Sequence, residues 1–246
     1  YRARDPFRAP ARYGSPGGAT GPNARPVRLR CARCGYAGRM GNDGGTRKES
    51  LWEAQVRRNP GHSEWYIQRF EQMRAEGADL HGEARLVDAM AARGSRILDA
   101  GCGPGRVGGE LARRGHTVVG VDVDPVLLGA AAKDHPDCTW LEGDLSELDL
   151  PAPGVAEPFD LIVCAGNVMA FLAPGTAPEV LARFAAHLVP GGRAVVGFGA
   201  GRGYDFGQFF DDAQAAGLAV DLRLATWDLR PWEADSDFLV AVLAKR

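Results

Sequence analysis

The run Ile97-Leu98-Asp99-Ala100-Gly101-Cys102-Gly103-Pro104-Gly105-Arg106 constrains this chain more than any other stretch, because a short apolar strand passes into a glycine turn with an acid at the junction. Glycines at 101, 103 and 105 permit a tight turn and let a ligand approach the backbone without meeting a Cβ. Val107 to Arg114 follows with apolar positions at 107 and 111 and few β-branched residues, which predicts a helix whose N-terminus faces that ligand. Such a turn reads as a nucleoside cofactor site. Residues 103–108 also match G-x-G-x-x-G, and Asp122 lies near the spacing at which a dinucleotide fold keeps its ribose-binding acid, so two cofactor classes compete.

The acids separate them. Asp99 precedes the first glycine, where a pyrophosphate would meet like charge at close range and a cationic amino-acid moiety would be welcome. Asp122, followed by Val123, ends the apolar stretch 117–121, and its two oxygens suit both hydroxyls of a ribose. Asp144 follows Trp140-Leu141-Glu142-Gly143 and suits the amino group of an adenine, with Leu145 packed on the ring. In an S-adenosylmethionine reading all three acids have a partner on the ligand; a nicotinamide or flavin dinucleotide is the other reading.

On these residues the sequence resembles the class I S-adenosylmethionine-dependent methyltransferases. The resemblance rests on the glycine motif at 98–106, Gly120-Val121-Asp122, Glu142-Gly143-Asp144-Leu145, the run Phe159 to Cys164, and the Leu188-Val189-Pro190-Gly191-Gly192-Arg193 turn, and it spans about residues 62 to 246. It implies a three-layer, doubly wound α/β fold with a mostly parallel seven-stranded sheet and an antiparallel last strand. It also implies S-adenosyl-L-methionine as cofactor, held by Asp99, Ala100, Gly101, Cys102, Gly103, Gly105, Arg106, Asp122, Val123, Asp144, Leu145, Ala165 and Gly166. Arg69, on a helix expected to cover the site, is placed to meet the methionine carboxylate.

Periodicity agrees with that architecture. Helices are predicted over 63–76, 83–93, 105–114, 125–133, 177–187 and 205–216, with strands over 96–100, 117–121, 138–141, 159–164 and 193–198. Alternation of this kind means a parallel sheet covered on both faces. Runs 218–226 and 238–244 have no helix between them, which predicts an antiparallel final pair. Three parts follow: a leader over 1–50, a helical lid over 51–94 and a cofactor domain over 95–246.

The leader holds eleven Lys and Arg against three acids, so the rest of the chain carries 18 basic and 28 acidic residues. An acidic body argues against a nucleic-acid substrate, since phosphate binding draws on Lys and Arg. The leader is rich in Arg, Gly, Pro and Ala without sustained period and is expected to be disordered and dispensable, with Met40 a candidate start. Its Cys31-Ala32-Arg33-Cys34-Gly35 is half of a zinc knuckle, and a closed site needs two more ligands, so no metal is assigned. No apolar run reaches the ~20 residues of a membrane helix, and no secretory signal pattern is present. A cytoplasmic protein without membrane contact is expected; oligomeric state is not legible.

The methyl acceptor is the least legible part. By resemblance, the loop Ala165-Gly166-Asn167-Val168-Met169-Ala170-Phe171 lies beside the transferring methyl; Asn167 either orients a nucleophile or caps its own turn, and Met169 and Phe171 are read as packing. No Asn-Pro-Pro-Tyr or Asp-Pro-Pro-Tyr follows the strand, and no acid stands at 165–167 to hold magnesium. His62 and His81 are the candidate bases, although neither has a visible partner carboxylate and a cap or surface histidine is the favoured reading of each. Substrate contacts are sought at Trp65 and Tyr66 on the lid, at Arg202 and Tyr204 after a strand end, and at Trp227 and Arg230 between the last strands, where both arginines alternatively pair with Asp228 and Asp237. The expected activity is methyl transfer to a small molecule by in-line displacement. A non-catalytic S-adenosylmethionine-binding sensor or partner subunit, and a protein or peptide methyltransferase, are the alternatives.

Overall fold

The computed structural model describes residues 47–150 and 155–246, together with the backbone of two short strands, β1 (Arg28–Arg30) and β2 (Ala37–Arg39). Helices α1 (Leu51–Arg58), α2 (His62–Ala75) and α3 (Gly82–Met90) come first. Strands and helices then alternate through β3 (Arg96–Ala100), α4 (Arg106–Arg113), β4 (Thr117–Asp122), α5 (Pro125–Asp134), β5 (Thr139–Glu142) and β6 (Phe159–Cys164). The chain continues through α6 (Ala177–His187), β7 (Leu188–Gly199), α7 (Phe206–Ala215), β8 (Leu218–Leu224) and β9 (Phe238–Lys245).

The main sheet has seven strands in the order β5-β4-β3-β6-β7-β9-β8. Neighbours from β5 to β7 run parallel, and β9 is antiparallel to both β7 and β8. The strand order reverses between β3 and β6, so a crevice opens beyond their carboxyl ends, where ligands of open α/β sheets bind.

Side chains of each strand alternate between two cores. Leu98, Val119, Ile162 and Val196 point into one with Phe184 and Phe209. Ile97, Val118, Leu161, Val163 and Val195 point into the other with Val87, Leu111 and Trp140. Burial on both faces is why these strands read as continuous apolar runs. The expected antiparallel final pair is present, with β9 inserted between β7 and β8.

Three local expectations change. The short helix α1 has no counterpart in the periodicity reading. Strand β7 begins at Leu188, not 193: buried Leu188 pairs with Phe159, and the register shifts before Leu161 to take up the Pro-Gly-Gly residues. Within the leader, β1 and β2 pair antiparallel, a departure from the expected lack of structure, and Arg47 and Ser50 already contact the body. Cys31, Cys34 and Met40 lie outside the described residues. No helix among the described residues is long and apolar enough to cross a membrane.

Trp140 crosses the bare backbone of Gly120 on the neighbouring strand, where a Cβ would stand 2.3 Å from the indole carbons. Gly120→Ala is therefore expected to cost about 1–3 kcal/mol in urea unfolding, with the indole pushed off its seat.

Candidate functional site

Three carboxylates close the ends of β3, β4 and β5. Asp99 on β3 is 2% exposed, and its Oδ2 accepts the Gly108 N–H at 2.7 Å. Asp122 at the end of β4 is likewise buried; its Oδ2 accepts the Gly103 N–H at 2.8 Å and its Oδ1 the Asp124 N–H at 2.9 Å. Gly103 presents that amide from a positive φ of 52°, a conformation natural to glycine. After β5, Asp144 Oδ1 accepts from Ser146 N–H and Oγ–H, each at 2.8 Å, while Oδ2 accepts from Arg47 at 2.7 Å.

Burial pushes the Asp99 carboxyl up to about 7 against the pull of the Gly108 amide. It pushes Asp122 up to about 6 against the amides of Asp124 and Gly103. These are carboxylates held in low dielectric with few partners, the condition under which a donor-bearing ligand is welcomed.

Two adjoining cavities lie over these acids. The first encloses about 680 Å³ counting its open mouth. Asp122, Val123, Gly143, Asp144 and Leu145 form its floor, with Ser50, Trp52, Tyr66, Val168, Phe171 and Leu172 around it. The second, about 350 Å³, is lined by Asp99, Cys102, Pro104, Arg106, Val107 and Phe70. Gly101, Gly103, Tyr66, Ala165 and Gly166 line both, so one elongated ligand can span them.

Helices α1 to α3 are fastened at several points. Ser50 caps α1 in a reciprocal box with Glu53, and the Leu51 and Trp52 amides donate to Phe171 O at 2.9 and 3.3 Å. The Trp52 indole N–H donates to Asp124 Oδ2 at 2.8 Å, and Ser63 Oγ–H donates to the same oxygen. Arg106 forks onto Glu83 at 2.8 and 2.6 Å and donates to Leu80 O, which docks α3 against the start of α4. Tyr66 stands edge-on to Trp52 and Phe70, and burial raises its phenol to about 12, so it remains neutral.

Most of the anticipated cofactor residues meet at the two cavities. Ala100 and Gly105 do not line them: Ala100 is fully buried in the core, and a Cβ on Gly105 would stand 2.9 Å from Ala131 where α4 packs. Arg69 sits over the Trp65 ring, outside both linings, so the structure does not bring it to the site. Trp65 itself is half-exposed and stacks on His62, and His62 also packs on Trp52. His81 is half-exposed beside Glu110 at 3.8 Å.

Asn167 has a φ of 64°, and its Oδ1 accepts the Gly199 N–H at 2.7 Å, so the side-chain oxygen ties the β6 loop to β7. Tyr204 stacks on Phe198 and donates to Asp212 at 2.8 Å; Trp227 lies on Gly197, where a Cβ would be 2.3 Å from its ring. Arg230 pairs with Asp228 at 3.8 Å on the surface, and Arg202 sits beside Gly199 outside both linings. Arg202, Tyr204, Trp227 and Arg230 thus line neither cavity. Ser50, Trp52, Leu172 and Asp124 escaped the sequence reading, although Ser50-x-x-Glu53 is a legible capping box.

Comparison with known proteins agrees with this geometry. A family model described as a methyltransferase domain matches residues 97–192. An uncharacterised methyltransferase of Mycobacterium tuberculosis is 37% identical over 161 residues, covering 64% of this chain and 68% of its own. The crystal structure of a TehB-like SAM-dependent methyltransferase from Corynebacterium glutamicum is 50% identical, covers 76% of this chain and 100% of its own, and superposes with a TM-score of 0.72. The chain belongs to the class I S-adenosylmethionine-dependent methyltransferases. A further relative, the dTDP-3-amino-3,6-dideoxy-alpha-D-glucopyranose N,N-dimethyltransferase of Streptomyces fradiae, is 31% identical over 126 residues, 49% of this chain and 48% of its own.

The methyltransferase site fits its cofactor, S-adenosylmethionine. A carboxylate offers about four acceptor positions, and those of Asp122 are only partly taken by the backbone, leaving capacity toward the first cavity it lines. The acids of the first cavity suit hydroxyl and amino donors, and Asp99 in the second suits an ammonium.

The raised Asp99 has a measurable sign. Between about pH 4 and pH 7 the folded chain holds a proton there that the unfolded chain has lost, so this group's contribution to stability falls as pH rises through that window. Asp99→Asn, which still offers an oxygen to Gly108, removes the loss. The melting temperature of the variant minus that of the parent should grow from pH 4 to pH 8; a constant difference contradicts the assignment.

Proposed function

We propose that the chain transfers a methyl group from S-adenosylmethionine to a small molecule, by in-line displacement and without a metal. The observation that carries this reading is the junction of the two cavities, where Tyr66 of α2 stands with Ala165 and Gly166 at the end of β6, a covered position that favours a compact acceptor over a broad protein surface. The relative from Streptomyces fradiae, named for a nucleotide-sugar amine, supports the same substrate scale. The bound cofactor supplies an electrophilic sulfonium methyl.

The chain supplies position and dryness. In this reading Asp122 accepts from the ribose hydroxyls, Asp144 from the adenine amine and Asp99 from the ammonium, which orients the donor along both cavities. Holding the reacting atoms in line contributes roughly 7–11 kcal/mol. The aromatic lid excludes water from the reacting centre. Ala165-Gly166-Asn167 at the end of β6 offers no carboxylate for magnesium. The cytoplasm suits the three buried free thiols Cys102, Cys138 and Cys164, which have no disulfide.

Asp122→Ala should weaken S-adenosylhomocysteine binding by roughly 10- to 100-fold in calorimetry, because ribose donors lose their acceptor. Incubating the chain and a metabolite extract with labelled methyl donor should give a labelled product below the protein size range. Label on proteins alone would favour a protein methyltransferase, and binding with no labelled product a sensor.

A further inference from the structure

We infer that Arg47 is a cofactor-positioning residue which latches the segment before α1 over the nucleobase end of the site and slows cofactor release. One arm of its guanidinium lies 2.7 Å from Asp144 Oδ2 and 2.9 Å from Glu53 Oε2, and the other arm also meets Glu53. A single planar fork thus joins two carboxylates from distant parts of the chain, a geometry that a lysine ammonium does not reproduce.

Both partners already belong to the site. Asp144 lines the first cavity, and its other oxygen is held by Ser146, so Arg47 and Ser146 together fix the direction of the carboxylate. Glu53 also accepts the Ser50 N–H at 3.0 Å and the Ser50 Oγ–H at 2.8 Å, and Ser50 lines the same cavity. The path Asp144–Arg47–Glu53–Ser50 therefore runs without a break from the end of β5 to the start of α1. The Phe171 carbonyl receives the next two amides and fastens the far side.

The chemistry favours retention over capture. Arg47 and Glu53 are about one-quarter exposed while Asp144 is 6% exposed, so the pair with Asp144 is shielded on its acid side and open on its cationic side. A base seated at Asp144 lies inside the latch, and departure requires the Arg47 fork to let go of at least one carboxylate. Entry to an unlatched site needs no such step. The inference rests on the placement of the adenine at Asp144.

Stopped-flow dissociation of S-adenosylhomocysteine from the full chain tests it. Arg47→Met keeps the aliphatic stem and should raise the dissociation rate at least about tenfold, the scale of a lost charge-assisted hydrogen bond, with a smaller change in association. Arg47→Lys should recover only part of the loss. Glu53→Gln should act in the same direction, and its combination with Arg47→Met should be no worse than Arg47→Met alone. A purely structural staple would lower the melting temperature and leave the release rate of the folded fraction unchanged. Release from Arg47→Met and Arg47→Lys at the parent rate overturns the inference. Failure of the adenine placement shows separately: Asp144→Asn then binds S-adenosylhomocysteine as tightly as the parent.

Discussion

Two buried carboxylates at the ends of adjacent strands set the terms for the rest of the site. Burying an acid is costly unless donors meet it, and Asp99 and Asp122 find theirs in the amides of Gly108 and Gly103. The glycine loop is bent to answer its neighbours before any ligand arrives. That bend sets where α4 begins, and the first residue of α4 is Arg106, whose fork onto Glu83 fixes α3. Helix α3 thus inherits its position from a charge problem at the carboxyl ends of two interior strands.

The second fastening is Asp124. One oxygen caps α5 by accepting the Val126 and Leu127 amides; the other takes Trp52 and Ser63. A single side chain therefore couples α5 to both α1 and α2. Its location immediately after β4 places it beside Asp122, which ties the nucleoside floor and its cover to one turn of backbone.

What was legible in the sequence follows from range. The strands could be read because burial on both faces leaves continuous apolar runs, and the acids because each stands where such a run stops. The inserted final strand was legible as two strand-like runs without a helix between them. Helix α1 was not: it spans eight residues with none fully buried, so periodicity had little to register. The contacts that make it functional, from Trp52 to Asp124 and from its amides to Phe171, join segments far apart in the chain. Arg202, Tyr204, Trp227 and Arg230 follow strand ends, but position beyond a strand end locates one side of a sheet and does not say which layer a side chain joins. Trp227 packs instead on the bare Gly197, a seat that a Cβ would close.

The insertion of β9 between β7 and β8 bears on how the chain comes off the ribosome. Strand β8 is synthesised before β9, yet its place in the sheet is defined wholly by pairing with β9. Until Phe238–Lys245 emerges, β7 ends in an open edge and β8 has no neighbour in the sheet. The amino-terminal strands can assemble as they appear, while this flank waits for the last strand, and during that interval the apolar edge of β7 is the segment most in need of protection from other chains.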